Sequence, residues 1–277
     1  MKRLGYVALA LSVIGIAIVA LGYRNATSDP VVRMATVPVS NWPEDTAPVR
    51  AVLISDLHVA GPDMPPARLA RIVSQINALK PDIVLIAGDM VSDKAFATRR
   101  YSAAEAVDPL KSLKAPLGIV AVLGNHDHWR NSEAFHRAVP EAGVTLLVNN
   151  AIRRGPLVIG GVDDSFTGHA DVTRTTAAMD ALAGIPIILS HSPDIVPALT
   201  RPVSVVLAGH THCGQISLPL IGRFATASRY GERFACGLIV DHGQRVIVSA
   251  GLGTSILPLR YGVRPDLWLI TIGPDAR

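Results

Sequence analysis

Cysteine, aromatic side chains and charge are all scarce in this 277-residue chain. There are two cysteines, Cys213 and Cys236, too few for a disulfide framework; whether they pair depends on a backbone approach that spacing does not reveal. Aromatic residues make up 5%, which leaves little for stacking single-stranded nucleic acid. Charged residues make up 17%, with 26 Lys and Arg against 22 Asp and Glu. No basic run extends beyond Lys2-Arg3, so no nucleic-acid partner is expected. Internal repeats and low-complexity tracts are absent, and composition excludes a fibre, a coiled coil and a disulfide-rich toxin. With 49% hydrophobic residues the chain is far from a disordered composition, and at this length it buries a core without staples.

Part of the apolar excess is local. Leu4 to Tyr23 is an uncharged run of 20 residues, roughly 30 Å long as a helix and matched to a bilayer core. Tyr6 and Tyr23 sit near its ends, where amphipathic rings favour the headgroups. Lys2-Arg3 and the small residues at Ala20-Leu21-Gly22 also fit a cleaved signal peptide, but the run exceeds the usual signal core of about 7–15 residues. The expectation is therefore a single-pass anchor over 1–23, its basic flank in the cytoplasm and the remaining chain outside. Residues 24–48, with Pro30, Pro38, Pro43 and Pro48, read as a linker, and 49–277 as the folded domain.

From residue 49 short apolar runs alternate with helical patterns. Pro65-Pro66 opens a segment with Leu69, Ile72, Val73, Ile76 and Leu79 at helical spacing, and Ser102–Leu113 reads as a helix that Pro109 starts or kinks. The tail, with runs at Gly237–Val240, Arg245–Ser249 and Leu267–Ile272, is strand-rich. Five apolar runs end in Asp, Asn or His: Val49–Ser55 at Asp56-Leu57-His58, Asp82–Ala87 at Gly88-Asp89, Ile119–Leu123 at Gly124-Asn125-His126-Asp127, Pro186–Leu189 at Ser190-His191, and Val203–Ala208 at Gly209-His210-Thr211-His212. In α/β sheets ligand sites form beyond the carboxyl ends of strands.

Asp and His together suit divalent metals such as Mn, Fe or Zn. Asp56, His58, Asp89, Asn125, His191, His210 and His212 are seven candidate ligands, more than one ion can use. Two ions sharing a carboxylate can use them all, and such a pair clamps the attacking and leaving oxygens of a phosphoryl displacement.

These motifs together, over residues 49 to 272, resemble the calcineurin-like metallophosphoesterase family. The resemblance is closer to its membrane-anchored bacterial, YkuE-like branch through the N-terminal run, Gly161-Val162-Asp163-Asp164, His191-Ser192-Pro193-Asp194 and the stretch Gly251–Arg260. It implies a four-layer αββα sandwich behind an N-terminal transmembrane helix. It also implies one metal held by Asp56, His58, Asp89 and His212, and a second by Asp89, Asn125, His191 and His210, with phosphoester or pyrophosphate hydrolysis by a hydroxide held between them. His126 would then stabilise the phosphorus centre or protonate the leaving oxygen, and Asp127 would orient that imidazole. Cys213 departs from the branch, which has glycine there, and reads as a tolerated small residue. Arg260 and Arg130 are the candidates to face the substrate phosphate, while Asp163-Asp164 reads as a loop cap and His128, His136, His169 and His242 as surface or packing residues. The branch suggests a lipid-linked substrate, UDP-2,3-diacylglucosamine of lipid A biosynthesis being the sharpest candidate; that substrate lies on the cytoplasmic face, in tension with the charge-based orientation. The competing readings are a non-catalytic metal-binding scaffold and a nucleotide phosphodiesterase.

Overall fold

The computed structural model describes residues 2–223 and 225–275. The first element is α1 (Lys2–Thr27), of which every described residue from Arg3 to Leu21 is exposed. Only Ser28, Asp29 and Pro30 separate it from β1 (Val31–Val39). There follow β2 (Val49–Ile54), α2 (Pro66–Ala78), β3 (Ile83–Ala87), α3 (Ala103–Val107), β4 (Ile119–Val122), α4 (Asn125–Glu141) and β5 (Thr145–Leu146). The second half holds β6 (Asn150–Arg154), β7 (Leu157–Val162), α5 (Val172–Asp180), β8 (Ile185–Ser190), β9 (Val205–Ala208), a small hairpin of β10 (Ser217–Leu218) and β11 (Gly222–Arg223), then β12 (Gly237–Asp241), β13 (Gln244–Val248) and β14 (Asp266–Pro274).

Two six-stranded mixed sheets result, in the orders β1-β14-β2-β3-β4-β5 and β12-β13-β9-β8-β7-β6. Strands β2, β3 and β4 run parallel, as do β7, β8 and β9, and both faces of these strands are covered, which is why their sequences are continuously apolar rather than alternating. Ala51, Leu53, Ile83 and Leu85 of the first sheet meet Leu157, Ile187, Leu189 and Leu207 of the second in the central core. The opposite face of the first sheet, with Val52, Ile54, Val84 and Ile86, is covered by α2 and α4 through Leu69, Ile72, Ile76 and Phe135. The outer face of the second sheet, with Val158, Ile188 and Val206, packs on Met179 of α5, Ile195 and Phe234. The architecture is the expected four-layer α/β/β/α arrangement, and it brings the carboxyl ends of β2, β3, β4, β8 and β9 to one edge.

Two expectations need correction. Residues 24–48 are not a linker throughout: β1 pairs in parallel with β14 along its whole length, from Val31 with Asp266 to Val39 with Pro274. It is a partly exposed edge strand, so its residues do not alternate cleanly, and Pro38 is tolerated there. The helix expected over 102–113 splits into α3, closed by a Ser102–Glu105 capping box, and a 3-10 turn at Asp108–Ser112, because Pro109 cannot continue the α-helical ladder.

Candidate metal centre

Each of the five strands delivers its polar residues on a tight turn. Asp56, His58, Asp89, His210 and His212 all adopt left-handed backbone conformations, with φ between 47° and 70°. Such geometry costs an L-residue roughly 1–2 kcal/mol and concentrates where function demands it. The turns lock onto one another: Asp56 N donates to Gly88 O (3.0 Å) and His58 N to Asp89 O (2.9 Å), and His210 N donates to the Asp56 carboxylate (3.0 Å to Oδ2). Gly209 is required at this junction, since a β-carbon on it would collide with the Asp56 carboxylate and Ser55.

All seven side chains converge. His58 Nε2 and His212 Nε2 lie 3.0 Å apart, with Asp56 Oδ1 3.3 Å from the latter. Nearby, His191 Nε2 lies 3.1 Å from Asn125 Oδ1 and 3.1 Å from His210 Nδ1. Asp89 Oδ2 touches both groups, 3.4 Å from His58 Nε2 and 3.2 Å from His191 Nε2.

The donor set of the second group tests whether a cation fits. His191 Nδ1 contacts the carbonyl of Ala87 at 2.7 Å and His210 Nε2 the carbonyl of Ala227 at 3.0 Å. A carbonyl only accepts, so those nitrogens carry the protons, and the neutral rings turn bare lone pairs toward each other, Asn125 Oδ1 and Asp89 Oδ2. Four acceptors facing one point repel unless a positive charge stands among them. The surroundings favour such a charge: burial pulls the His191 imidazolium down, but the Asp89 and Asp56 carboxylates push its pKa well above the ordinary value. The pKa values of the other three imidazoles, His58, His210 and His212, are lowered, toward the neutral form that a metal ligand takes. Burial, then His126, lowers the His58 pKa well below the usual range, and burial, then Arg260, does so for His212.

His126 and Asp127 sit with Asn125 in the first turn of α4, where they part company. A ring nitrogen of His126 lies within 4.8 Å of ligand atoms of His58 and Asp89, and its side chain lines a cavity of about 600 Å³ that also reaches His210 and His212. Asp127 does not orient this ring. Its carboxylate accepts from the backbone N–H of Met90 (2.8 Å), Val91 (3.3 Å) and Gly124 (3.0 Å), and burial together with Asp89 raises its pKa to about 7. The carboxylate beside His126 is Asp93, with Oδ1 2.5 Å from Nδ1. In the sequence Asp93 is marked only as a second carboxylate four residues past Asp89, in a loop without periodicity.

Neither arginine faces the cavity. Arg260 is fully buried and donates to the carbonyls of Ala250 (2.7 Å) and Gly253 (2.6 Å), with Nη2 3.4 Å from His212 Nδ1. Its guanidinium bridges the carbonyls of Ala250, Gly251 and Gly253 in one turn, a task for a multidentate donor. Arg130 is exposed on α4 and is absent from the described cavity wall. Cys213 is not merely a tolerated small residue: it is disulfide-bonded to Cys236.

A family model for calcineurin-like phosphoesterases matches residues 49–214, which contain all five turns. The chain belongs to the calcineurin-like phosphoesterase family. Among its relatives are the metallophosphoesterase YkuE of Bacillus subtilis (32% identical, covering 74% of this chain and 72% of that one) and a metallophosphoesterase of Aquifex aeolicus (30% identical, 86% and 89%). A zebrafish transmembrane protein with a metallophosphoesterase domain is 31% identical over 91% of this chain, which spans 59% of that protein. The protein is thus a metal-dependent phosphoesterase, with buried Asp and His clusters able to hold divalent cations, behind one helix long and apolar enough to cross a membrane.

Proposed function

We propose that this metallophosphoesterase holds two divalent cations, one among Asp56, His58, Asp89 and His212 and the other among Asp89, Asn125, His191 and His210, and hydrolyses a phosphoester or pyrophosphate of a membrane-borne substrate. The observation that carries the reading is the Asp89 carboxylate, whose Oδ2 lies 3.4 Å from His58 Nε2 and 3.2 Å from His191 Nε2. Bound cations of the Mn, Fe or Zn type would supply Lewis acidity at the phosphoryl oxygens and lower the pKa of water. The chain's own groups do the rest. Asp89 Oδ1 accepts from His126 N (2.8 Å) and so fixes the start of α4 against the site. His126, buttressed by Asp93, stands at the cavity wall where a leaving oxygen needs a proton or a developing charge needs neutralising. Ala87 O and Ala227 O hold the His191 and His210 rings in the tautomers that present lone pairs.

The apolar α1 and the apolar side chains Phe166, Trp129, Ile216, Ile256 and Leu257 in the cavity wall support an amphiphilic substrate. The Cys213–Cys236 bond supports an extracytoplasmic domain, since disulfides persist in oxidising compartments; this counts against UDP-2,3-diacylglucosamine presented on the cytoplasmic side. The His126–Asp93 pair favours an enzyme over a metal-binding scaffold, because binding alone has no need of it.

The test is to purify the full chain with Mn²⁺, Fe²⁺ or Zn²⁺ and assay phosphate monoesters, diesters, nucleotides and nucleotide-lipids, UDP-2,3-diacylglucosamine included. Metal analysis of Asp89→Asn accompanies it. The expected outcome is two ions per native chain and loss of at least one, with nearly all activity, in the variant. Two ions retained in Asp89→Asn would overturn the bridging role.

A further inference from the structure

We propose that the face of the domain around Tyr261 is seated in the membrane interface, so that the cavity opens at the bilayer surface. The proposal rests on the reading of α1 as a membrane anchor and extends it from a tether to a docking surface whose occupant is the lipid headgroup layer.

The domain grips the C-terminal part of α1. Tyr261 Oη donates to Ile18 O at 2.5 Å, Arg260 N to Gly22 O at 3.0 Å, and Tyr23 Oη to Pro62 O at 3.2 Å. Gly22 packs so closely on Tyr261 that a β-carbon there would collide with its ring. The apolar run, however, continues from Leu4 to Tyr23. From Leu4 to Ile18 the helix is only about 21 Å long, short of a hydrocarbon core of about 30 Å. Immersing the whole run draws Tyr261 and its neighbours about 8 Å toward the lipid, the rise from Ile18 to Tyr23. That is the usual depth of elements lying in an interface.

The segments around this grip are built for that depth. The β10–β11 hairpin is tied to Tyr261 by Ser217 N donating to Tyr261 O (2.8 Å), and its tip bears Leu220 and Ile221. The loop next to Pro62, tied by Gly61 N donating to Arg99 O (2.8 Å), bears Phe96, and the loop leading to Arg260 bears Ile256. All four side chains are at least 63% exposed. Scattered single exposures are ordinary; several on adjoining segments mark a contact surface. Arg24 and Arg100, on the same segments, are exposed and suit anionic headgroups. Ile216, Ile256, Leu257 and Ala95 also line the cavity that reaches His126 and His210. A substrate with a hydrocarbon tail therefore keeps its tail beside the bilayer while its phosphate reaches the site.

The test uses the full chain in vesicles of phosphatidylcholine and phosphatidylglycerol, spin-labelled at Ile221→Cys, at Ile256→Cys, or at Val240→Cys on β12 as the control. Cys213 and Cys236 are bonded to each other, so label goes to the new thiol alone. The expected result is that labels at 221 and 256 lose collisions with a water-soluble nickel chelate while keeping those with oxygen, and the label at 240 collides freely with the chelate. Equal chelate access at 221, 256 and 240 would overturn the proposal. So would shielding of 221 from both reagents, which would indicate a protein partner. Turnover of p-nitrophenyl phosphate by the same preparations reports separately on the enzymatic reading: a seated protein without turnover defeats that reading alone, and an active protein with water-exposed labels defeats the docking surface alone.

Discussion

Asp93 Oδ1 and His126 Nδ1 are 2.5 Å apart at the rim of the metal centre, joining the loop after β3 to the first turn of α4. The contact fixes which imidazole nitrogen faces the cavity. His126→Ala is expected to keep its metals and lose roughly 10²–10⁴-fold in rate, the usual worth of a positioned acid. The loss should be smaller for p-nitrophenyl phosphate, whose leaving group needs little protonation, than for an alkyl phosphate. Asp93→Asn should show the same leaving-group dependence at a loss on the order of 10–100-fold, the scale for carboxylates that orient imidazoles. Equal losses on both substrates would assign the pair to charge stabilisation instead; loss of a metal would make His126 a ligand.

Asp127 serves the backbone rather than the imidazole. Asp127→Ala leaves three N–H groups, those of Met90, Val91 and Gly124, without their acceptor. A destabilisation on the order of 3 kcal/mol is expected, the scale of buried donors left unpaired, read from denaturant midpoints. A variant of native stability would show that water or another group replaces the carboxylate.

The Cys213–Cys236 bond closes a loop with a sequence separation of 23 that begins directly after His212. Chain-entropy arguments give it about 3.5 kcal/mol. Reduction, or Cys213→Ala with Cys236→Ala, is expected to lower the unfolding midpoint accordingly and to weaken metal retention through His212. A reduced protein with unchanged midpoint and metal content would contradict both.

His128 Nε2 lies 2.8 Å from Asp163 Oδ1. Burial lowers its pKa, but the hydrogen bond and charge of Asp163 outweigh it and the pKa is raised. A histidine raised in the native state stabilises fully below its unfolded value of about 6.5 and loses that contribution as pH climbs through the folded value. The Tm gap between native protein and His128→Asn should thus be widest in mild acid and shrink toward alkaline pH. A gap that widened with pH would reverse the sign.

Much of the site was legible because its information is local. An apolar run ending in Asp, Asn or His names both the strand and the residue at its end, and Asp56, His58, Asp89, Asn125, His191, His210 and His212 each stand at or just past such an end. What escaped depends on contacts between segments. Asp93 meets His126 only because the loop after β3 folds back over α4. Arg260 is in sequence one candidate phosphate contact, and only the fold reveals the carbonyls of Ala250 and Gly253 as its partners. Asp127 stands next to His126 in sequence, yet its helical position aims it at the strand-end amides. Strand β1, half exposed and interrupted by Pro38, carries neither the alternation nor the apolar continuity that marks a strand.

Three residues, Ser28, Asp29 and Pro30, lie between α1 and β1, and β1 is paired along its full length. If α1 spans a membrane, the catalytic end has no slack and travels with the helix as one body. Its search for substrate is then two-dimensional, at a fixed height above its own leaflet, and molecules on a neighbouring membrane are out of reach. Lengthening that junction would change which molecules the enzyme encounters without altering a single atom of the site.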